Sequence, residues 1–191
     1  MSRSNRWITL FNILMNNTNL LHSAYIGLGS NLGKSLSLLR EAWQSLGRYP
    51  EITLQDLSSP YRTRPVGMES KHWFINAVGC LRTKLSPEAL LDLLLTTEQR
   101  FGRIRHPELK GYQDRTLDLD LLLYGSTTMR TARLTLPHPA LHERLFVLVP
   151  LAEINSQLQH PLLRKTVACL LAEQESRNGQ EGIERIAWQE K

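Results

Sequence analysis

Asp118 and Asp120 stand two residues apart in the run RTLDLDLLLYG, residues 115–125. Alternate side chains of a strand share a face. The spacing therefore predicts a strand over Thr116–Tyr124, with Leu117, Leu119, Leu121 and Leu123 on one face and Asp118, Asp120, Leu122 and Tyr124 on the other. Residues i and i+2 of a strand are ~6.6 Å apart. Carboxylates at that spacing can converge on cations about 3.5–4 Å apart, as two-metal phosphoryl transfer requires. The plain alternative is an alternating strand that faces solvent. Leu122 on the Asp face argues for cover, and under cover two carboxylates repel and lose hydration unless a cation offsets both effects.

Arg103, Arg105 and Arg115 flank this strand. Arginine suits the positioning and charge neutralisation on which phosphoryl transfer depends, although a solvated cationic loop has the same composition. The run GLGSNLGKS, residues 27–35, has the look of a phosphate loop. Walker A needs glycine where Leu28 stands, and the dinucleotide pattern needs it at Leu32. Both fail by one residue, and a tight strand-to-helix turn is the expected use. Phe74 and Asn76 share a strand face and can together stack on and hydrogen-bond a flat heterocycle; a core Phe beside a turn-facing Asn is the ordinary case. His138 and His142 are four apart, but Pro139 at a helix start explains them without zinc.

These residues need elements to position them. Ser23–Gly29 reads as a strand. Leu32, Leu36, Leu39, Trp43 and Leu46 then mark one face of a helix that ends at Gly47. Strands are expected over 51–59 and Trp73–Leu85, with a loop over 61–67, since Pro65 biases Arg64 away from α. Ser86-Pro87 opens a second helix with a capping hydroxyl and a proline at its first position, buried through Leu90, Leu94 and Phe101. Gly102–Asp114 reads as a polar, cationic, mobile loop. A turn over Leu136–Pro139, an apolar stretch over Leu145–Leu151 and a short helix near Leu162–Ala172 complete the chain. The order β-α-β-β-α-β predicts an α+β, ferredoxin-like domain, an antiparallel sheet with helices on one face. It would span residues 23–174, between an extension over 1–22 and a frayed polar tail over 175–191.

With 191 residues, 41% hydrophobic and 21% charged, one sizeable core is expected. A net charge of +5 suits an anionic partner. No apolar run reaches the ~18 residues of a membrane span. Arg3, Arg6 and the stretch Trp7–Met15 have the outline of a signal peptide, but Asn12 interrupts it and no small-residue cleavage site follows. Cys80 and Cys169 lie far apart, which fits a reducing cytosol. A basic ferredoxin-like domain can also bind RNA through its sheet. That reading needs an aromatic motif such as G-F-x-F, which is absent, and has no use for two Asp on the sheet.

Taken together, the chain from about Ser23 to Ile154 resembles the 6-hydroxymethyl-7,8-dihydropterin pyrophosphokinases of folate biosynthesis. The matching pieces are AYIGLGSNLG at 24–33, SSPYRTRPVG at 58–67, FINAV at 74–78, FGRIR at 101–105, RTLDLDLLLYG at 115–125, RLTLPHP at 133–139 and ERLFVLVPLAEI at 143–154. The resemblance implies transfer of the β,γ-pyrophosphoryl group of ATP to the pterin hydroxymethyl group, with AMP released. It implies two Mg²⁺ on Asp118 and Asp120, catalytic Arg103 and Arg115 on mobile loops, and a pterin held by Phe74, Phe146, Asn76, Thr63 and Val66. Glu98, Arg105, Tyr112, Arg133, Thr135, His138 and Arg144 would surround ATP. A cytoplasmic monomer that binds neither nucleic acid nor membrane is the expectation. Four departures stand out: Phe74 without the hydroxyl of the tyrosine also common there, Arg64 where proline is common, a loop before Arg115 two residues longer, and Gly111-Tyr112-Gln113-Asp114 in place of basic-x-Gly-Pro.

Overall fold

The computed structural model describes residues 21–65, 67, 70–105, 113–178 and 182–189. The expected extension over 1–22 lies outside these residues except for its end, where His22 already belongs to the first strand, opposite Thr83.

The first five elements are β1 (His22–Ser30), α1 (Ser35–Leu46), β2 (Ile52–Leu57), β3 (Tyr61–Thr63) and β4 (Phe74–Thr83), all but β3 in the expected order. Next come α2 (Pro87–Arg100), β5 (Asp118–Tyr124) and the small hairpin of β6 (Met129–Arg130) with β7 (Thr135–Leu136). A 3₁₀ turn at Leu141–Glu143 leads into α3 (Leu145–Asn155), α4 (Val167–Asn178) and β8 (Ile183–Arg185). The large sheet is antiparallel in the order β5-β1-β4-β3-β8, with β2 also on β4. The order β5-β1-β4-β2 is the ferredoxin-like core.

The sequence explains the first layer. Leu39, Ala42, Trp43 and Leu46 repeat at helical spacing and are buried. Trp43 lies so close to β4 that a Cβ on Gly79 would sit 2.5 Å from its ring, so glycine is the residue that lets helix and sheet meet. In α2 the Ser86 hydroxyl accepts the Ala89 N–H at 3.2 Å, with Pro87 next to it. Leu90 and Leu94 face the same core as Leu28, Leu119 and Leu121.

Three features differ from the sequence reading. Helices cover both faces: α1 and α2 pack on one, while Val147, Leu148 and Leu151 of α3 and Val167 and Leu170 of α4 join Tyr25, Val78 and Leu122 on the other. In β5 the register shifts, since Ile26 faces Leu121 while Tyr25 faces Leu123. Leu122 is the extra residue of a β-bulge. Beyond it the faces exchange, so Leu123 joins the α3 side and Tyr124 the α1–α2 side. Finally, the loop expected over 61–67 contains a strand, and the tail is not frayed at 183–188. The free edge of β3 recruits Ile183–Arg185, and Trp188 packs against the core.

Candidate functional site

β1 lies between β4 and β5, and its glycines clear the sheet face toward α3. Asn76 on β4, Gly29 on β1 and Asp118 on β5 form one row across the sheet. The next row is Val78, Gly27 and Asp120. A Cβ on Gly29 would lie 3.2 Å from Asn76 Oδ1 and 3.7 Å from Asp118 Cβ. The GLGSN run therefore provides open space between an amide and a carboxylate, a role that its near miss to phosphate-loop patterns concealed.

Three adjoining cavities meet on this face. The larger, about 750 Å³, includes Glu98, Arg103, Arg105, Arg115, Asp118, Asp120, Arg133, Thr135, His138 and Arg144 among its lining residues. A smaller one, about 330 Å³, includes Thr63, Arg64, Phe74, Asn76, Glu143 and Phe146. Arg115 and Arg144 line both. A narrow space of about 30 Å³ bounded by Asp118, Asp120, Asn76 and Phe146 lies against both. Every described residue that the sequence assigned to a site thus lines one of these spaces. Val66 and Tyr112, and the loop centre at 106–112, lie outside the described residues. Arg64, Ala140, Glu143 and the glycines were not assigned from sequence.

Arginines converge on Asp118. Arg103 reaches it through Nη1, which also donates to Leu117 O at 2.8 Å and Glu98 Oε1 at 3.2 Å. Arg115 Nη2 lies 2.8 Å from Asp118 Oδ2. Glu98, 2% exposed, projects from α2 into this junction. It accepts the Leu119 N–H at 2.8 Å and Arg105 Nη2 at 2.6 Å. Burial pushes its carboxyl above the usual range, while the Leu119 N–H and Arg103 oppose that. Its observed work is to tie Arg103 and Arg105 to the start of β5. Arg133 pairs with Asp92 at the cavity rim. His138 accepts the Ala140 N–H at Nδ1, 3.3 Å away. Burial, then Arg144, lower its pKa, while Asp118 opposes that.

Asn31, 5% exposed, was also missed. Its N–H donates to Arg115 O at 3.1 Å, its Oδ1 accepts Arg115 N–H at 2.8 Å, and its Nδ2 donates to Asp114 Oδ1 at 2.6 Å. Two of these bonds fix the backbone from which Arg115 projects, and the third holds the Asp114 side chain beside it. The Arg115 guanidinium lies 5.3 Å from the Phe74 ring centre and that of Arg144 lies 5.6 Å from Phe146. Asn76 Nδ2 donates to Thr63 Oγ1 at 2.8 Å, which aims its carbonyl oxygen toward Gly29 and the Asp row.

Burial and the neighbouring Asp118 carboxylate raise the Asp120 pKa from 3.8 to about 6. A cation beside the pair would offset both effects. Two carboxylates on an open, cavity-lined face fit Mg²⁺, which takes one or two protein carboxylates and completes its shell with water and phosphate oxygens. A stability prediction follows. Between pH 4 and pH 6 the folded chain holds a proton that the unfolded chain has lost, so stability falls as pH rises through that window. Above it the ionised carboxylate weighs against the folded state. Metal-free Asp120→Asn is expected to melt several degrees above the parent at pH 7.5 and level with it near pH 4. Thermal denaturation in chelator across this range measures the gap; no gap at pH 7.5 would refute the burial argument.

The family model for 7,8-dihydro-6-hydroxymethylpterin-pyrophosphokinase matches residues 25–156. The chain belongs to this family. A 2-amino-4-hydroxy-6-hydroxymethyldihydropteridine pyrophosphokinase of Synechocystis sp. is 45% identical over 150 residues, 78% of this chain and 75% of the relative. The enzyme of the same name from Haemophilus influenzae is 42% identical over 139 residues, 73% of this chain and 85% of the relative. The family's fold is also seen in a crystal structure of Plasmodium falciparum HPPK-DHPS, with a TM-score of 0.71 at 14% identity. That likeness covers 87% of this chain but spans only 48% of the other.

Proposed function

We propose that the chain transfers the β,γ-pyrophosphoryl group of ATP to the hydroxymethyl group of 6-hydroxymethyl-7,8-dihydropterin and releases AMP, acting as a cytoplasmic monomer with no nucleic-acid or membrane partner. One observation carries this reading. A carboxylate pair and two shared arginines stand where a 750 Å³ cavity meets a 330 Å³ cavity floored by two aromatics and an amide. The family membership and the pyrophosphokinase names of its relatives support it.

In this reading the larger cavity takes ATP, with Arg105, Arg133, Thr135, His138 and Arg144 around it. The smaller takes the pterin between Phe74 and Phe146, with Asn76 and Thr63 on its edge. Asp118 and Asp120 would hold two Mg²⁺, which supply charge neutralisation on the phosphate oxygens. The Arg115 guanidinium, shared by both cavities, neutralises charge that develops between them. Arg103, bonded to Asp118, lies on the other side of the same carboxylate. The reaction conserves charge and atoms. The pterin hydroxyl oxygen attacks the β-phosphorus, the bond from that phosphorus to the α–β bridging oxygen breaks, and the hydroxyl proton leaves to solvent. Incubation with ATP, Mg²⁺ and the pterin alcohol, followed by identification of the nucleotide product, tests this. AMP is expected; ADP would mean an ordinary kinase and would overturn the reading.

Phe146→Ala is expected to weaken pterin binding about tenfold, since stacking on an aromatic is worth roughly 0.5–1.5 kcal/mol beyond area burial. ATP binding should change less than twofold. Equal losses in parallel titrations would place Phe146 in the general packing of α3.

A further inference from the structure

The smaller cavity depends on a part of the chain that its own lining does not include. The family match ends at residue 156, yet Ile183–Arg185 pair with Tyr61–Thr63 on the outer side of β3. The inner side of β3 sets Thr63 opposite Phe74 and Tyr61 opposite Asn76. Hydrogen bonds extend the contact: Ile186 N–H to Pro60 O at 2.9 Å and Trp188 Nε1–H to Ser58 O at 2.9 Å. A three-residue strand such as β3 makes few bonds of its own, and a second neighbour fixes it where one leaves it free to slip.

Glu153 is the second tie. It stands two turns after Phe146 on α3. Its carboxylate accepts the Ser59 N–H at 3.2 Å, the Ser59 hydroxyl at 2.9 Å, the Tyr61 hydroxyl at 2.7 Å and Arg185 Nη2 at 3.0 Å. Arg185 Nε also donates to Ser59 Oγ at 2.9 Å. Burial would raise the Glu153 carboxyl, but the Tyr61 and Ser59 donors outweigh it and hold the group below its usual value. One carboxylate thus joins the strand that carries Thr63, the helix that carries Phe146 and the C-terminal strand. Arg62 adds an ion pair to Glu184 at 2.5 Å.

We infer that the segment Ile183–Trp188 is a positioning element for the pterin, which sets the spacing between the Thr63–Phe74–Asn76 wall and the Phe146 wall through β3 and Glu153. No residue of this segment lines the smaller cavity, so it acts through others. The inference rests on the assignment of that cavity to the pterin. It also accounts for the order of polar and apolar residues in the tail: Glu184 and Arg185 reach the charged partners, while Trp188 closes on the core.

The test uses the full chain with Arg185→Ala and Trp188→Ala combined. KM for 6-hydroxymethyl-7,8-dihydropterin is expected to rise at least tenfold, KM for ATP to stay within twofold, and the single-turnover rate at saturating pterin to stay within threefold. Arg185→Lys, which keeps a cation beside Glu153, should recover most of the pterin KM. Arg185→Ala alone removes a side chain that is 65% exposed. It should give a smaller rise of the same kind, and it decides the matter if the double variant does not fold. An unchanged pterin KM, or equal rises for both substrates, would overturn the inference while leaving the proposed reaction intact. A parent protein that makes no AMP would overturn both.

Discussion

Asp120→Ala will lose at least about a thousandfold in turnover while its fold holds, and Asp118→Ala will lose as much. The carboxylates occupy neighbouring rows of one sheet face, opposite Gly27 and Gly29, where no side chain from β1 intrudes. Packing asks for no acid at position 120, while at 118 the carboxylate is the shared partner of Arg103 and Arg115. Asp120 resists ionisation because of burial and its neighbour, so in the free protein it is a liability. The single-donor losses known for preorganised charge stabilisation are on the order of 10²–10³, and losing a metal ligand, the role proposed for these carboxylates, would remove more than one donor. The two variants will differ in stability. Asp118→Ala leaves Arg103 and Arg115 without their shared partner and should melt lower, whereas Asp120→Ala should not. Turnover within tenfold of the parent at matched Mg²⁺ would remove the metal assignment.

Arg115→Ala will slow the chemical step at least about a hundredfold and change the ATP dissociation constant less than fivefold. This side chain lines both cavities and touches Asp118 and Phe74 at once; in the proposed reaction it faces the charge that moves between them. Loss of such a contact falls on turnover more than on affinity. Arg103→Ala will show the same kinetic loss with an added structural one. Its Nη1 serves Glu98, Leu117 O and Asp118, and a buried carboxylate that loses a donor costs about 1–3 kcal/mol. Single-turnover rates, ATP titrations and melting curves on both variants separate the two roles. A large affinity loss with an unchanged chemical step would make Arg115 a ground-state nucleotide ligand.

Much of this site was legible in the sequence because its chemistry lies on regular elements. The two-residue period of β5 put Asp118 and Asp120 on one face, and the Ser86-Pro87 start fixed the phase of α2. What escaped depends on tertiary contact. Leu122 carries no local signal of the bulge that exchanges the faces of Leu123 and Tyr124, since that shift belongs to the pairing with Tyr25 and Ile26. Asn31 reads as a turn residue, yet its partners are 83 and 84 positions away. The tail is polar by composition, and its strand forms because β3 offers an open edge.

The row of Asn76, Gly29 and Asp118 also acts as a ruler. Neighbouring strands lie about 4.8 Å apart, so two intervals place the chains that carry the amide and the carboxylate about 10 Å from each other. That distance belongs to the backbone hydrogen bonds of the sheet, and no rotamer change can stretch it far. Under the proposed reading, a ligand held by Asn76 would have to bring its reacting group to the Asp118 end within that span. Substitution along β1, β4 or β5 can therefore alter the side chains at either end of the row without altering the span between them.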